Sequence, residues 1–340
     1  MDEGARVGIA LLVAAALPLA SVPAAITIAR RTGFLDSPVG YKAHRRPTPY
    51  LGGIAVLIPT LMAVSLLDSR AWAEYWPLLA GTCGLSLVGT LDDRVSLSPL
   101  LRVGVEFLAA YLLWAQGLGW SFLGSDAANL LLTAFWVVGV VNAFNLMDNL
   151  DGAAGAIAGV SAACIAGLSM IGGNSALAII SIALCGALIG FLRFNLARPS
   201  RIFLGDGGSM AIGFLIAGAL MSVPMGRLGG WDTFVAAGLV IGLPAFDTTL
   251  VVISRRRRQA PIFVGATDHT THRLLTALKS PRAVAGTLAG AQACLGASVI
   301  GAAQLGDSAM IAVACVALLI ATASLVRAEG LGWTPLSNDP

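Results

Sequence analysis

Five aspartates stand where a largely apolar chain has little use for them. Asp92 and Asp93 lie in "GTLDDRVSLSP", Asp148 and Asp151 in "VNAFNLMDNLDG", and Asp206 in "RFNLARPSRIFLGDGGSM". Adjacent carboxylates repel each other, which raises a pKa or calls for a cation. In the second stretch Asn142, Asn145, Asp148 and Asp151 recur at every third position. Steps of three bring neighbours together on a helix. Each step also rotates the row by about −60° at 3.6 residues per turn, so Asn142 and Asp151 would end on opposite sides of an ideal helix. The helix is therefore expected to end or loosen near Asp148, with Gly152 permitting a turn. Asp206 precedes Gly-Gly-Ser, where it can act as an N-cap, and the exposed N–H groups there equally suit a phosphate.

The basic side chains that could meet such chemistry also come in clusters. "DSPVGYKAHRRPTPYLGG" carries Lys42, His44, Arg45 and Arg46, with Pro47 and Pro49 stiffening the chain and Gly52–Gly53 allowing close approach. "FVGATDHTTHRLL" carries His269, His272 and Arg273 behind Asp268. Each cluster has a plainer reading beside the chemical one. The first is a positive anchor before a helix, the Asp pair a solvated helix end compensated by Arg94, the Asn/Asp row a cap and turn, and Asp206 a cap alone. Two histidines three residues apart could share a helix face, but no third zinc ligand and no HExxH motif accompany them, which favours facing an anion over binding zinc. Glu106, one turn after Arg102, is most simply its intrahelical ion-pair partner. Taken together, five carboxylates call for a hard cation, and Mg²⁺ is held by one or two carboxylates plus phosphate oxygens. Neighbouring bases suit the remaining phosphate charge. The pattern implies Mg²⁺-assisted chemistry on a phosphorylated substrate at a lipid surface.

The elements that must position these groups are membrane helices. Of 340 residues, 57% are hydrophobic and only 11% charged, with a mean hydropathy of +0.83; soluble domains carry roughly 25% charged residues. Apolar stretches of membrane-spanning length number about eleven. They fall near 7–29, 51–67, 77–91, 100–116, 128–147, 152–171, 175–193, 208–223, 233–253, 284–304 and 308–327. The expected fold is an all-α integral membrane protein, a polytopic bundle of about 10–11 transmembrane helices in one domain over 1–340, with a short tail at 327–340. The alternation of a membrane β-barrel is absent. "MDEGAR" is not a basic leader, and Arg30–Arg31 follow the first span, so that span is expected to be an uncleaved helix with the N-terminus outside. Eighteen of the 21 Lys and Arg then lie inside, leaving Arg6, Arg70 and Arg227. This asymmetry accounts for the net +3 without invoking nucleic acid. Arg255 to Arg258 mark the inner end of a helix near anionic lipid. The five cysteines match neither a zinc nor a disulfide pattern and read as small packing residues. Nearly every polar cluster falls in an inside loop, so one cytosolic-face site is the economical reading.

The pieces "KAHRRPTPYLGG", "LDDR", "NAFNLMDNLDG", "FN…IFLGDGGS" and "DHTTHRL", in that order from about residue 36 to 275, resemble the polyprenyl-phosphate N-acetylhexosamine-1-phosphate transferase superfamily (glycosyltransferase family 4). That superfamily includes the lipid I-forming translocase and the initiators of O-antigen and teichoic acid. The NxxDxxDG and GDxGS pair carries the specificity of the match. The resemblance implies transfer of a sugar 1-phosphate from a UDP-N-acetylhexosamine to a polyprenyl phosphate, undecaprenyl or decaprenyl, with release of UMP. Its cofactor would be Mg²⁺, with Mn²⁺ as a substitute, and its place the bacterial plasma membrane. It implies Asp206 as Mg²⁺ ligand with Asn145 and Asp93 near the metal. Asp92 would deprotonate the lipid phosphate or serve as covalent nucleophile, and Asp148 would hold the metal–diphosphate region. Asp151, Asn195 and Phe203 would contact the nucleotide, His269, His272 and Arg273 would grip the diphosphate, and Lys42 and Arg46 would receive anionic substrate. A homodimer is compatible with all of this.

Two positions depart from the family's pattern. Its HxHH reads His269-Thr270-Thr271-His272 here, and Asn149 stands where Gly is frequent. In both, the chain resembles a bacterial branch associated with surface-glycan initiation more than the lipid I-forming enzyme. They bear on the sugar, for which UDP-GlcNAc comes first, then UDP-GalNAc or a bacillosamine-type sugar, then UDP-MurNAc-pentapeptide. A transporter would line a midplane path with its ionisable groups, and a scaffold would not need five clustered aspartates. The DGxxAR…GxxxDxxxD signature of phospholipid head-group transferases is missing.

Overall fold

A computed structural model describes residues 2–36, 47–261 and 268–330. Its helices are α1 (Glu3–Ala16), α2 (Pro18–Thr32), α3 (Gly52–Leu67), α4 (Arg70–Val95), α5 (Pro99–Ala115), α6 (Asp126–Met147) and α7 (Ala153–Ile171). Then follow α8 (Ser175–Asn195), α9 (Asp206–Ser222), α10 (Gly230–Val240), α11 (Gly242–Arg257), α12 (Thr270–Leu278), α13 (Pro281–Leu305) and α14 (Asp307–Gly330). A two-residue antiparallel pair, β1 (Leu35–Asp36) and β2 (Thr48–Pro49), leads into α3. The protein is an all-α, multi-pass membrane protein.

Each of the eleven expected apolar segments coincides with one helix or with a consecutive pair. By length and composition six segments among the described residues can each cross a membrane, or seven if α10 and α11, bent by 76°, form one span. The four further segments of the expected eleven are α4, which is long at 26 residues but not apolar enough over a spanning length, α5 at 17 residues, and α3 and α9, which are short at 16 and 17 residues. At about 1.5 Å per residue none of the last three reaches the ~30 Å of a hydrocarbon core. α9 is instead enclosed by protein: every residue from Gly207 to Leu220 is buried. A helix surrounded by other helices need not meet lipid along its length, and its end can lie inside the bundle's rim.

Close approach of backbones builds this centre. A Cβ on Gly53 of α3 would fall on the Gly207–Gly208 backbone, and one on Gly89 of α4 on the Asp206–Gly207 backbone. Small residues at such crossings let membrane helices pack through van der Waals contact, where water supplies no hydrophobic drive. The first turn of α9 is thereby wedged between α3 and α4. At the opposite end of the bundle Arg6 donates to Leu67 O, and Trp120, Trp136 and Phe234 stack edge to face. α14 continues to Gly330, so the residues expected to start a tail at 327 are still helical; 331–340 lie outside the described residues.

Candidate functional site

α6 ends where its polar row demanded. Met147 is its last residue, Asp148 takes the C-cap position, and Gly152 turns the chain with φ +80° into α7. The unwinding keeps Asp151 beside Asp148 at one rim instead of carrying it round the helix away from Asn142. Asn142, one turn deeper, donates to Glu106 Oε2 at 2.7 Å and to Val138 O. Glu106 is therefore engaged by an amide from α6, and its expected ion-pair partner makes its close contacts with other residues.

That partner, Arg102 at the start of α5, organises the site. Its guanidinium lies 2.8 Å from Asp92 Oδ2, donates to Asn145 Oδ1 at 3.0 Å, and reaches Asp206 Oδ2 at 3.4 Å. Asn145 donates in turn to Asp206 Oδ1 at 2.7 Å and to Ser209 Oγ at 3.0 Å. One arginine thus ties α4, α6 and α9 together, and the i,i+4 ion pair with Glu106 is corrected to a long-range network. Asp92 also accepts from Leu97 N at 2.5 Å and is buried, whereas Asp206 keeps a third of its side chain exposed.

The N-terminus of α9 also differs from the expectation. Asp206 is its first residue and caps nothing; the N-cap is Gly205. Asp93 crosses from α4 to accept Asp206 N at 3.0 Å and Gly207 N at 3.3 Å, while Asp148 accepts from Gly205 N. The unsatisfied N–H groups of a helix start, expected to be open to a phosphate, are held by two protein carboxylates. Asp206 is left at the rim with its oxygens directed toward Asn145 and Arg102. Burial pushes the Asp148 carboxyl well above the usual range, and the charges of Asp206, Asp93 and Asp151 add to it against the Gly205 bond.

Gly205 allows this geometry. Its φ of 75° and ψ of 171° fall in a region reserved almost wholly for glycine, and a Cβ would stand 2.6 Å from Asp93 Oδ2 and 2.9 Å from Tyr50 O. Gly205→Ala is expected to cost about 1–3 kcal/mol of stability and to dislodge Asp93. Thermal unfolding of the purified protein in detergent checks it, and an unchanged melting temperature would contradict the tight fit.

The remaining expected residues are distributed as follows. Tyr50 and Phe203 pack ring to ring at 6.5 Å, and Phe203 N donates to Pro49 O at 2.9 Å, which fixes "PTPYLGG" against "IFLGDGG". Asn195 is buried; its Oδ1 accepts from Gly152 N at 2.7 Å and its Nδ2 donates to Ile202 O at 2.9 Å. It therefore braces the Asp151 turn against the 196–205 loop. Asp151 lies beside Asp148 on that turn. Lys42, His44, Arg45 and Arg46 fall outside the described residues.

The histidine strip enters α12 and is held from behind. His269 is buried, with Nδ1 2.8 Å from Asp247 Oδ2, and Thr270 N donates to Asp247 Oδ1 at 2.6 Å. Its ring stands 6.3 Å from that of His272. Burial, then the neighbouring His269, depresses the His272 pKa against the pull of Asp247 and Asp268, which favours a neutral imidazole. Arg273 donates to Asp268 O, Ser254 Oγ, Ala328 O and Glu329 Oε1, so it joins α12 to α11 and α14; gripping a diphosphate would require giving up those bonds. The arginine run is partly internal too: Arg255 and Arg258 both pair with buried Asp268. Arg102 and Asp247 are the residues that motif reading missed. The signal was an ionisable side chain in an apolar span, which is costly unless it has a purpose.

Around Asp206 stand the Asp92 carboxylate, within hydrogen-bonding reach of it, and the Asn145 amide, which turns its nitrogen to Asp206 and its oxygen to Arg102. Such hard ligands and such repulsion fit a divalent cation of the Mg²⁺ class. Among the described residues no three His, Cys, Asp or Glu form a ready-made metal cage. A Mg²⁺ site completed by phosphate oxygens needs only one or two carboxylates.

Fold and site together define an integral membrane protein with an acidic, arginine-bridged site at one end of a helical bundle. Residues 75–223 match the family Glycosyl transferase family 4, a span that contains Asp92, Arg102, Asn145, Asp148 and Asp206. Among similar proteins, the decaprenyl-phosphate N-acetylglucosaminephosphotransferase of Mycobacterium tuberculosis is 31% identical over 295 residues, covering 76% of this chain and 72% of the relative. The probable undecaprenyl-phosphate N-acetylglucosaminyl 1-phosphate transferase of Bacillus subtilis is 29% identical over 286 residues, 79% of this chain and 77% of the relative. The undecaprenyl-phosphate alpha-N-acetylglucosaminyl 1-phosphate transferase of Escherichia coli K12 is 29% identical over 266 residues, 74% and 71%. The chain belongs to glycosyl transferase family 4, within the polyprenyl-phosphate N-acetylhexosamine-1-phosphate transferase superfamily.

Proposed function

We propose that this protein transfers N-acetylglucosamine 1-phosphate from UDP-GlcNAc to polyprenyl phosphate, releasing UMP and starting a lipid-linked surface glycan. The observation that carries the reading is the Arg102 network: one cation joined to Asp92, Asn145 and Asp206, with Asp93 and Asp148 bracing the loop beneath. The printed names of the relatives supply the sugar phosphate and the prenyl acceptor. The positive-inside asymmetry supports a cytosolic site and an external N-terminus.

In this reaction a phosphate oxygen of the lipid attacks the phosphorus that bears the sugar. The bond from that phosphorus to the bridging oxygen breaks, and the bridging oxygen departs with UMP. Asp92 takes the proton of the lipid phosphate, so that the attacking oxygen carries full charge. Arg102, freed from the carboxylates as phosphate enters, pairs with the non-bridging oxygens. Asp206, steered by Asn145, would hold Mg²⁺ together with the diphosphate; when bound, that ion supplies charge neutralisation at the phosphates and the departing oxygen. Asp93 and Asp148 keep the 205–207 backbone in place, and the His272 imidazole donates to the donor diphosphate. The turn at Asp151 and the Phe203 ring form the nucleotide side.

Purified protein incubated with polyprenyl phosphate, Mg²⁺ and UDP-GlcNAc should release UMP in step with lipid product, stop on addition of EDTA and recover with excess Mg²⁺. UDP as the released nucleotide would mean ordinary glycosyl transfer and would sink the mechanism. UDP-GalNAc, a UDP-bacillosamine-type sugar and UDP-MurNAc-pentapeptide, offered in parallel, rank the donors.

A further inference from the structure

The two positions at which this chain departs from its family's pattern, Asn149 and Thr271, touch each other although 122 residues separate them. The Thr271 hydroxyl donates to Asn149 Oδ1, and Asn149 Nδ2 donates to Leu146 O at 2.6 Å. Leu146 lies in the last turn of α6, where carbonyls have no helical partner. The amide can satisfy that carbonyl only with its nitrogen, so its oxygen must face Thr271, and a donor is required there. Thr271 is fully buried, so without this bond its hydroxyl would be desolvated at a cost.

The bond joins two segments that carry opposite parts of the site. Asn149 follows Asp148 directly and precedes Asp151 by two residues; Thr271 lies between His269 and His272. From the other side, Asp247 holds His269 and Thr270 N. The first turn of α12 is thereby pinned to α11 behind and to the acidic turn in front. We propose that the Asn149–Thr271 pair is a latch that sets the spacing between the acidic turn and the histidine strip, and so the fit of the UDP-sugar diphosphate between them. Both are positioning residues; neither reacts. The inference rests on the function proposed above for the choice of ligand, while the bond itself stands on the structure.

The test is a double-mutant cycle with Asn149→Ala, Thr271→Val, both together, and Thr271→Ser as the variant that keeps the donor. Each single loss is expected to raise KM for UDP-GlcNAc about tenfold with kcat within about twofold, and the double variant to match the worse single one, as residues acting through one bond do. Thr271→Ser should stay within about twofold of the native KM because the hydroxyl remains. A double variant whose KM rises as the product of the two single effects, or losses confined to kcat, would overturn the latch. Should the native protein release no UMP, the reaction assignment fails instead. The same proteins' melting temperatures then decide the latch: non-additive shifts uphold it, and additive shifts overturn it.

Discussion

Asp206→Asn is expected to reduce turnover by at least about three orders of magnitude, ~4 kcal/mol at 1.36 kcal/mol per tenfold, while leaving the bundle folded. The substitution is nearly isosteric, and a carboxamide oxygen can still accept from Asn145 Nδ2, now at 2.7 Å from Asp206 Oδ1. What disappears is the negative charge at the more open of the two carboxylates on Arg102, the one placed to share a cation with phosphate. Folding should not suffer, because Asp206 stands among Asp92, Asp93 and Asp148, and removing one charge relieves their repulsion. The variant is thus expected to melt no lower than the native protein and to show no rise in activity with added Mg²⁺. Titration of turnover against Mg²⁺, beside thermal unfolding, checks both halves. Retained turnover would remove Asp206 from the reaction, and a collapsed melting temperature would make its role structural.

Arg102→Gln carries the second large effect, and its two readouts should move in opposite directions. Loss of the guanidinium strips Asp92 and Asp206 of their shared cation, and an entering phosphate loses its counter-charge. We expect kcat/KM to fall about 100-fold, ~2.7 kcal/mol. The site meanwhile becomes more negative by one charge, so half-saturation by Mg²⁺ should shift to lower concentration. Arg102→Lys should recover part of the rate, since a point charge replaces the fork that reaches Asp92 and Asn145 at once. Weaker Mg²⁺ dependence in Arg102→Gln would place the guanidinium as support for the metal's ligands rather than as its electrostatic competitor.

Much of the architecture was legible along the chain. Apolar segments of spanning length, most polar clusters gathered at their ends, and the unwinding of α6 at Asp148 all follow from local rules: hydropathy, helical rotation and the turn that Gly152 permits. The acidic residues did converge at one end of the bundle. The partners were less legible. Arg102 looked like the i,i+4 mate of Glu106, yet its guanidinium reaches a carboxylate 104 residues away. Asp206 looked like a cap, but Asp93, 113 residues earlier, does the capping. No local rule pairs Asp247 with His269, 22 residues on, yet the two side chains meet.

The division has one physical origin. Hydrophobicity and backbone propensity are properties of a short window, so the order of the residues suffices to set which segments are helices, where they stop, and that the polar groups share an end. A hydrogen bond between helices depends instead on their rotation, depth and separation. Here those follow from packing, from Gly53 and Gly89 admitting α9 between α3 and α4. Which carboxylate faces Arg102, which caps α9, and that Thr271 meets Asn149 are matters for the folded bundle alone, because each is a distance between segments that no local rule relates.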